Sequence, residues 1–162
     1  MSQPASAQID PRGPRFTAAV TLVILAAALI TPRPLTLVLV GIQAAFFVIG
    51  AGRGVQYTPT AWVFRTFIRP RLAAPAHLED ARAPRFAQTV GLVFAVVALI
   101  GYGADVTLLG AIALGFAVAA AFLNAVFGFC LGCEMYLLIQ RMKPSRSNPT
   151  TVQAPQKKEA IA

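Results

Sequence analysis

"DPRGPRFTAAVTLVILAAALI", Asp10 to Ile30, and "DARAPRFAQTVGLVFAVVALI", Asp80 to Ile100, lie 70 residues apart and agree at eleven of twenty-one positions. Agreement of that length at one offset is the signature of an internal duplication. Both copies open on the same polar lead-in, Asp-x-Arg-x-Pro-Arg-Phe, before a long apolar stretch. The twin also bears on the start of the chain. Phe16 to Thr31, with Arg12 and Arg15 before it and the small residues of "AAALITP" at its end, has the outline of a signal peptide. A cleaved signal would have no counterpart in mid-chain, so this stretch is read as a retained span.

Outward from the repeat, the composition points to a bilayer. The 162 residues are 57% hydrophobic and 12% charged, with a mean hydropathy of +0.67, too apolar for a soluble domain. Phe16 to Thr31, Leu35 to Gly52, Phe86 to Tyr102 and Leu108 to Phe129 each approach the ~20 helical residues that cross a ~30 Å hydrocarbon layer. Past the first span the self-match weakens, but an offset of 74 sets Gly54, Trp62 and Pro70 over Gly128, Tyr136 and Pro144. Each half then reads as two spans followed by an aromatic, basic tail.

The expected fold is an all-α membrane protein: four transmembrane helices from a tandem two-span repeat, with two cytoplasmic interfacial amphipathic helices. The boundaries are a disordered N-tail (1–9), a first repeat (10–71), a linker (72–79), a second repeat with the CxxC (80–144) and a disordered C-tail (145–162). Two spans per repeat give both halves one orientation, so their pseudo-twofold axis runs along the membrane normal.

Thirteen of the fourteen Lys and Arg fall in the N-tail, the central loop or the C-tail, and only Arg33 sits in a loop on the other side. The positive-inside rule then puts both termini in the cytoplasm of a multi-pass plasma-membrane protein. The net charge of +8 is read as anchoring and attraction to anionic lipid, because the bases sit at membrane boundaries without a nucleic-acid motif. In "VQYTPTAWVFRTFIRPR", Val55 to Arg71, Thr58 is a helix cap, Pro59 suits the first helical position and Pro70 closes the segment. Too short to span, and mixing Trp62, Phe64 and Phe67 with Arg65 and Arg69, it reads as a helix lying in the interface.

Its counterpart holds the two cysteines of the chain, Cys130 and Cys133, in "GFCLGCEMY". The 74-residue alignment sets Thr58 over Gly132 and Pro59 over Cys133, so the second interfacial helix is expected to start near Cys133, with Met135, Leu138, Ile139 and Met142 on its apolar face. If the fourth span breaks between Gly128 and Gly132, backbone N–H groups and the positive end of the helix dipole favour thiolate. An unbroken helix reverses that effect. The pair is therefore either a thiol site, for redox exchange, sulfur transfer or half of a metal site, or two small residues packed beside Gly128 and Gly132. A stabilising disulfide is disfavoured on a reducing side, and it would close a very small loop. Glu134 is a candidate base or ligand beside Cys133, or else a first-turn carboxylate that complements the dipole. A metal site would have to recruit Glu134, His77 or a second chain; His77 reads by default as a solvated loop residue.

Gln43 and Asn124 fall within spans, where hydrogen bonds between helices are expected. No span carries an ionisable residue away from its ends, which argues against ion-coupled transport. No phosphate loop, zinc-protease motif or serine–histidine arrangement occurs. No cofactor is expected; the expected partners are the bilayer and a cytoplasmic protein acting on the cysteines.

Taken together, "IDPRGPRF", "GRGVQYTPTAWVFRTFIRPRL", "APRFAQTVGLVF" and "LNAVFGFCLGCEMYLL" resemble the bacterial membrane proteins grouped as domain of unknown function family 4395, common in actinobacteria. The resemblance covers about residues 9–143, with Cys130 and Cys133 in its most specific motif. It implies no activity. It does imply a gene neighbourhood of thioredoxin-like and sulfurtransferase proteins, which tilts the thiol reading toward a sulfur or redox relay; a noncatalytic anchor or assembly subunit is the alternative.

Overall fold

The computed structural model describes residues 8–75 and 77–142; the expected C-terminal tail, 145–162, lies outside them. Six α-helices follow in order: α1 (Arg12–Ile30), α2 (Arg33–Arg53), α3 (Pro59–Val63), α4 (Arg82–Gly103), α5 (Thr107–Phe122) and α6 (Leu131–Met142). The helices α1, α2 and α4, and α5 with its continuation to Phe127, are each long and apolar enough to cross a membrane. The chain is an all-α membrane protein with four such spans.

Helices α1 and α4 begin four residues ahead of the apolar stretches that announced them. The Asp10 carboxylate accepts the amide N–H of Arg12 at 3.0 Å, and the Asp80 carboxylate accepts that of Arg82 at 2.9 Å. Each satisfies a donor that has no partner inside the helix, and Pro14 and Pro84 fall in first turns, where a missing N–H costs little.

The side chains are arranged for a lipid surround. Val23, Ile30, Leu108 and Phe116 face outward, while Thr17, Thr21, Thr36 and Gln43 are buried. Polar groups in hydrocarbon must find partners inside the protein. Accordingly Gln43 Nε2 donates to Thr21 Oγ1 at 3.0 Å, and Thr36 Oγ1 donates to the Ala28 carbonyl at 2.9 Å. Small residues let the helices close up. Ala95, Ala98, Ala113 and Ala117 line the core, and a Cβ on Gly101 would lie 2.7 Å from Gly110 Cα. Around the bundle the order is α1, α2, α4, α5, with α5 closing on α1.

One end of the bundle carries the two hairpin tips, joined by an ion pair between Arg33 and Asp105. The other end carries α3, α6 and a short antiparallel ladder of β1 (Gln8–Ile9) with β2 (Glu79–Asp80), in which Ile9 faces Glu79. Gln8 and Ile9 of the expected N-tail (1–9) and Glu79 of the expected linker (72–79) thus take part in a strand pair, while residues 1–7 lie outside the described residues. The reason is local, since the two lead-ins emerge side by side and satisfy each other's backbone groups.

Two arginines cross-link the same end. Arg15 donates from Nε to the Ala125 carbonyl at 3.2 Å and from Nη2 to that of Val126 at 2.8 Å. Arg85 makes the matching bonds to Ala51 (2.7 Å) and Gly52 (2.6 Å). These carbonyls end the span helices, where acceptors lack helical partners and a cation is favoured.

Candidate functional site at the start of α6

The fourth span stops because its last turn, Leu123–Phe127, widens to a π turn and Gly128 takes a left-handed conformation, φ 69° and ψ 12°. Gly is the residue that adopts this conformation without a steric penalty. The Gly128 and Phe129 amides bond back to the carbonyls of Asn124 (3.0 Å) and Leu123 (3.2 Å), and Arg15 holds the carbonyls of Ala125 and Val126. After Phe129 the chain starts α6.

Cys130 caps that helix. Its sulfur accepts the Cys133 amide N–H at 3.3 Å and its carbonyl accepts the Glu134 N–H at 3.0 Å. The helix therefore begins at Leu131, two residues before the expected start near Cys133. The 74-residue alignment fails here because the connectors differ in length. A three-residue 3-10 turn, Val55–Tyr57, separates Gly54 from the cap Thr58, whereas only Phe129 separates Gly128 from Cys130. Thr58 thus matches Cys130 and not Gly132, and Cys133 lies within the first turn.

The two sulfurs are joined in a disulfide, with the Cα atoms 5.1 Å apart. A cap residue and the third residue of the first turn fall inside the roughly 4.4–6.8 Å that a disulfide spans, so the small loop does not prevent the bond. Both cysteines are half-buried. Gly132 between them is buried against α4, where a Cβ would lie 2.6 Å from Ala87 Cα. One turn on, the Tyr136 ring meets Phe86 at a centroid distance of 5.8 Å. These two contacts dock the first turns of α6 onto α4, while Met135, Leu138, Ile139 and Met142 stay exposed.

Of the other sequence candidates, Glu134 lies exposed in the first turn of α6. His77 is exposed, with Nε2 3.5 Å from Glu79 Oε1, and it lines the same cavity as the cysteines. No three His, Cys, Asp or Glu side chains converge as metal ligands among the described residues.

That cavity, about 700 Å³, is walled by α1, α4, α5 and α6. It runs from Pro84 and the cysteines inward to Phe94 and Phe116, about 15 Å along the α4 axis at ~1.5 Å per residue. Gln88 and Asn124 also line it. Its place within a span marks Asn124 for a bond between helices, and no pattern singles out Gln88, because nothing in a linear sequence says that helices on either side of a break leave a space between them.

No curated protein and no solved structure matches the chain. A family model does match, over residues 9–141, which takes in all four spans, the α5–α6 break and the cysteine pair; the chain belongs to the family described as domain of unknown function (DUF4395).

Proposed function

We propose that the protein is a multi-pass component of the bacterial plasma membrane whose Cys130–Cys133 pair exchanges electrons or sulfur with a cytoplasmic thioredoxin-like or sulfurtransferase protein. The observation that carries this reading is the cap: the Cys130 sulfur accepts the Cys133 N–H at a helix start and is bonded to a second sulfur in the same turn. In the reduced state the same N–H and the helix dipole favour a thiolate on Cys130. A helix running unbroken from the fourth span would have disfavoured it.

The exchange balances without a cofactor. A partner thiolate attacks the Cys130 sulfur, the Cys130–Cys133 bond breaks, and Cys133 leaves as a thiolate. The partner's second thiol then attacks the mixed disulfide. The partner ends as a disulfide, and Cys130 and Cys133 end as a dithiol, having gained two electrons and two protons.

The proposed orientation rests on the thirteen-to-one division of basic residues. Reporter fusions after Arg33 and after Lys158 should lie on opposite sides; fusions on the same side would overturn it. The proposed tandem duplication is supported by twin contacts, the Asp10 and Asp80 bonds to the following helix starts and the crossed arginines.

The test is trapping. In the Cys133→Ser variant, the reduced Cys130 thiolate should attack the disulfide of an oxidised thioredoxin-like protein, whose second cysteine leaves as a thiolate, and the mixed disulfide should survive an alkylating quench and non-reducing electrophoresis. In the wild-type protein, the pair should shift reversibly between disulfide and dithiol across a thiol redox buffer. A pair that neither exchanges nor alkylates after reduction would favour the second reading, a noncatalytic anchor, for which the observation is the tight seat of Gly132 on Ala87.

A further inference from the structure

A disulfide that takes electrons from a protein dithiol needs an acceptor for them, and the cavity behind the pair has the features of an acceptor site. Its volume of about 700 Å³ falls within the ~300–1,000 Å³ of small-molecule pockets. Both cysteines form part of its wall. Its inner end lies at the middle of two spans, where Phe94 and Phe116 approach at a centroid distance of 6.2 Å. Phe116 also remains 61% exposed on the outside of the bundle, so the wall reaches the lipid-facing surface from which a membrane-dissolved molecule would enter. Gln88 and Asn124 line the stretch between the aromatic end and the sulfurs; the Gln88 carboxamide packs toward Gly50 of α2, and Asn124 carries the N–H groups that donate to carbonyl oxygens. A plain acyl chain has no carbonyl to place against them and no chemistry to offer a thiol.

We propose that this cavity binds a quinone-class lipid that reoxidises the Cys130–Cys133 dithiol. The proposal rests on the relay reading above. The two S–H bonds break and the S–S bond forms; the two electrons and two protons pass to the quinone, whose two carbonyls become the hydroxyls of a hydroquinone. With the partner step, the net reaction is partner dithiol plus quinone giving partner disulfide plus hydroquinone. Asn124 acts as the positioning residue that holds a quinone carbonyl within reach of the sulfurs.

The probe is a short-chain ubiquinone with a fully substituted ring, which leaves no open ring carbon for thioether formation. The full chain is reduced in nanodiscs, freed of reductant and mixed anaerobically with the probe; remaining thiols are counted by alkylation and mass, and hydroquinone by absorbance. One hydroquinone should form per disulfide restored. Ala120→Phe, which fills the cavity, and Asn124→Leu, which keeps its size, should each slow this step about tenfold or more, the discrimination a shaped pocket gives. Both should keep the wild-type melting temperature in nanodiscs, which separates the loss of a site from a misfolded chain. Wild-type thiols that persist in the presence of the probe, while still exchanging with the soluble dithiol, would overturn the quinone proposal and leave the relay standing. Both variants oxidising as fast as wild type would also overturn it. A pair inert to the soluble dithiol would overturn the relay and this proposal with it.

Discussion

At the start of α3 the Thr58 hydroxyl accepts the Ala61 N–H at 3.2 Å; at the start of α6 the Cys130 sulfur accepts the Cys133 N–H at 3.3 Å. Each cap follows a positive-φ glycine, Gly54 or Gly128, and each segment that follows, α3 with its π-turn continuation Phe64–Ile68 and α6, presses one ring onto a phenylalanine of the first span of its half. Phe64 meets Phe16, and Tyr136 meets Phe86, both at 5.8 Å. The atoms between these fixed points differ. Around Thr58 the hydroxyls form a chain, with Thr58 and Thr60 3.0 Å apart and Thr60 and Thr17 3.1 Å apart. The corresponding places beside Cys130 are Gly132 and Ala87, in van der Waals contact. An oxygen cap tied into a buried hydroxyl chain has one covalent state. A sulfur cap beside a second sulfur has two, and it borders a cavity. One backbone plan thus gives a structural joint in the first half and a candidate reactive one in the second.

The strongest way to break this comparison is to give α6 the bulk that α3 tolerates. Gly132→Ala puts a methyl group against Ala87 backbone, and overpacking of that kind costs about 1–3 kcal/mol. The first turn of α6 should shift, thermal stability should fall, and the reduced cysteines should alkylate at a changed rate. Adding Ala87→Gly should recover part of the loss; full stability of the single variant would refute the tight seat.

The two connector glycines should respond unequally. Gly54 has φ 113° and ψ 152°, a region open essentially to glycine alone, so Gly54→Ala should cost about 1–3 kcal/mol. Gly128 is left-handed, and Gly128→Asn should be nearly neutral because asparagine tolerates that region. Equal melting temperatures for the two variants would contradict the difference in their backbones.

Exchanging the caps should have smaller effects. Thr58→Ala removes the hydroxyl that caps α3 and should lose about 1 kcal/mol. Cys130→Ser keeps an oxygen acceptor in the same place, so under reducing conditions its melting temperature should stay near wild type while exchange is abolished. A destabilised Cys130→Ser variant would mean that the sulfur does more than cap.

The smallest expected effect is at the crossed arginines, whose bonds are solvent-exposed and worth at most about 1 kcal/mol. Arg15→Gln should speed hydrogen exchange at Gly128 and Phe129 and quicken alkylation of reduced Cys130. Arg85→Gln should loosen only the end of α2. Identical effects of the two variants on Cys130 would break the assignment of Arg15 to the α5 end.

The four spans were legible in the sequence because a bilayer demands long apolar helices, and the Thr58–Pro59 start of α3 because a cap and a first-turn proline are local features. The start of α6 was misplaced by two residues. Its cap is a cysteine, which no capping rule names, and the shorter connector after Gly128 moved the register of everything beyond it. The approach of the two sulfurs is not legible, because the Cα spacing of the pair depends on where the helical turn begins. The cavity, Gln88 and the arginine bonds to Ala51 and Ala125 arise from distant segments meeting, and no local pattern records such meetings.

Because Arg15 closes the end of α5 and Arg85 closes the end of α2, and Ile9 pairs with Glu79, neither half of the chain completes its own helices. The covalent link through residues 72–78 is therefore not what holds the halves in register. Two polypeptides divided within that segment and made together should still find each other in the membrane through the packing of α2 on α4 and α1 on α5, each also supplying the guanidinium that the other lacks, whereas either piece made alone should leave those faces without a partner and be degraded.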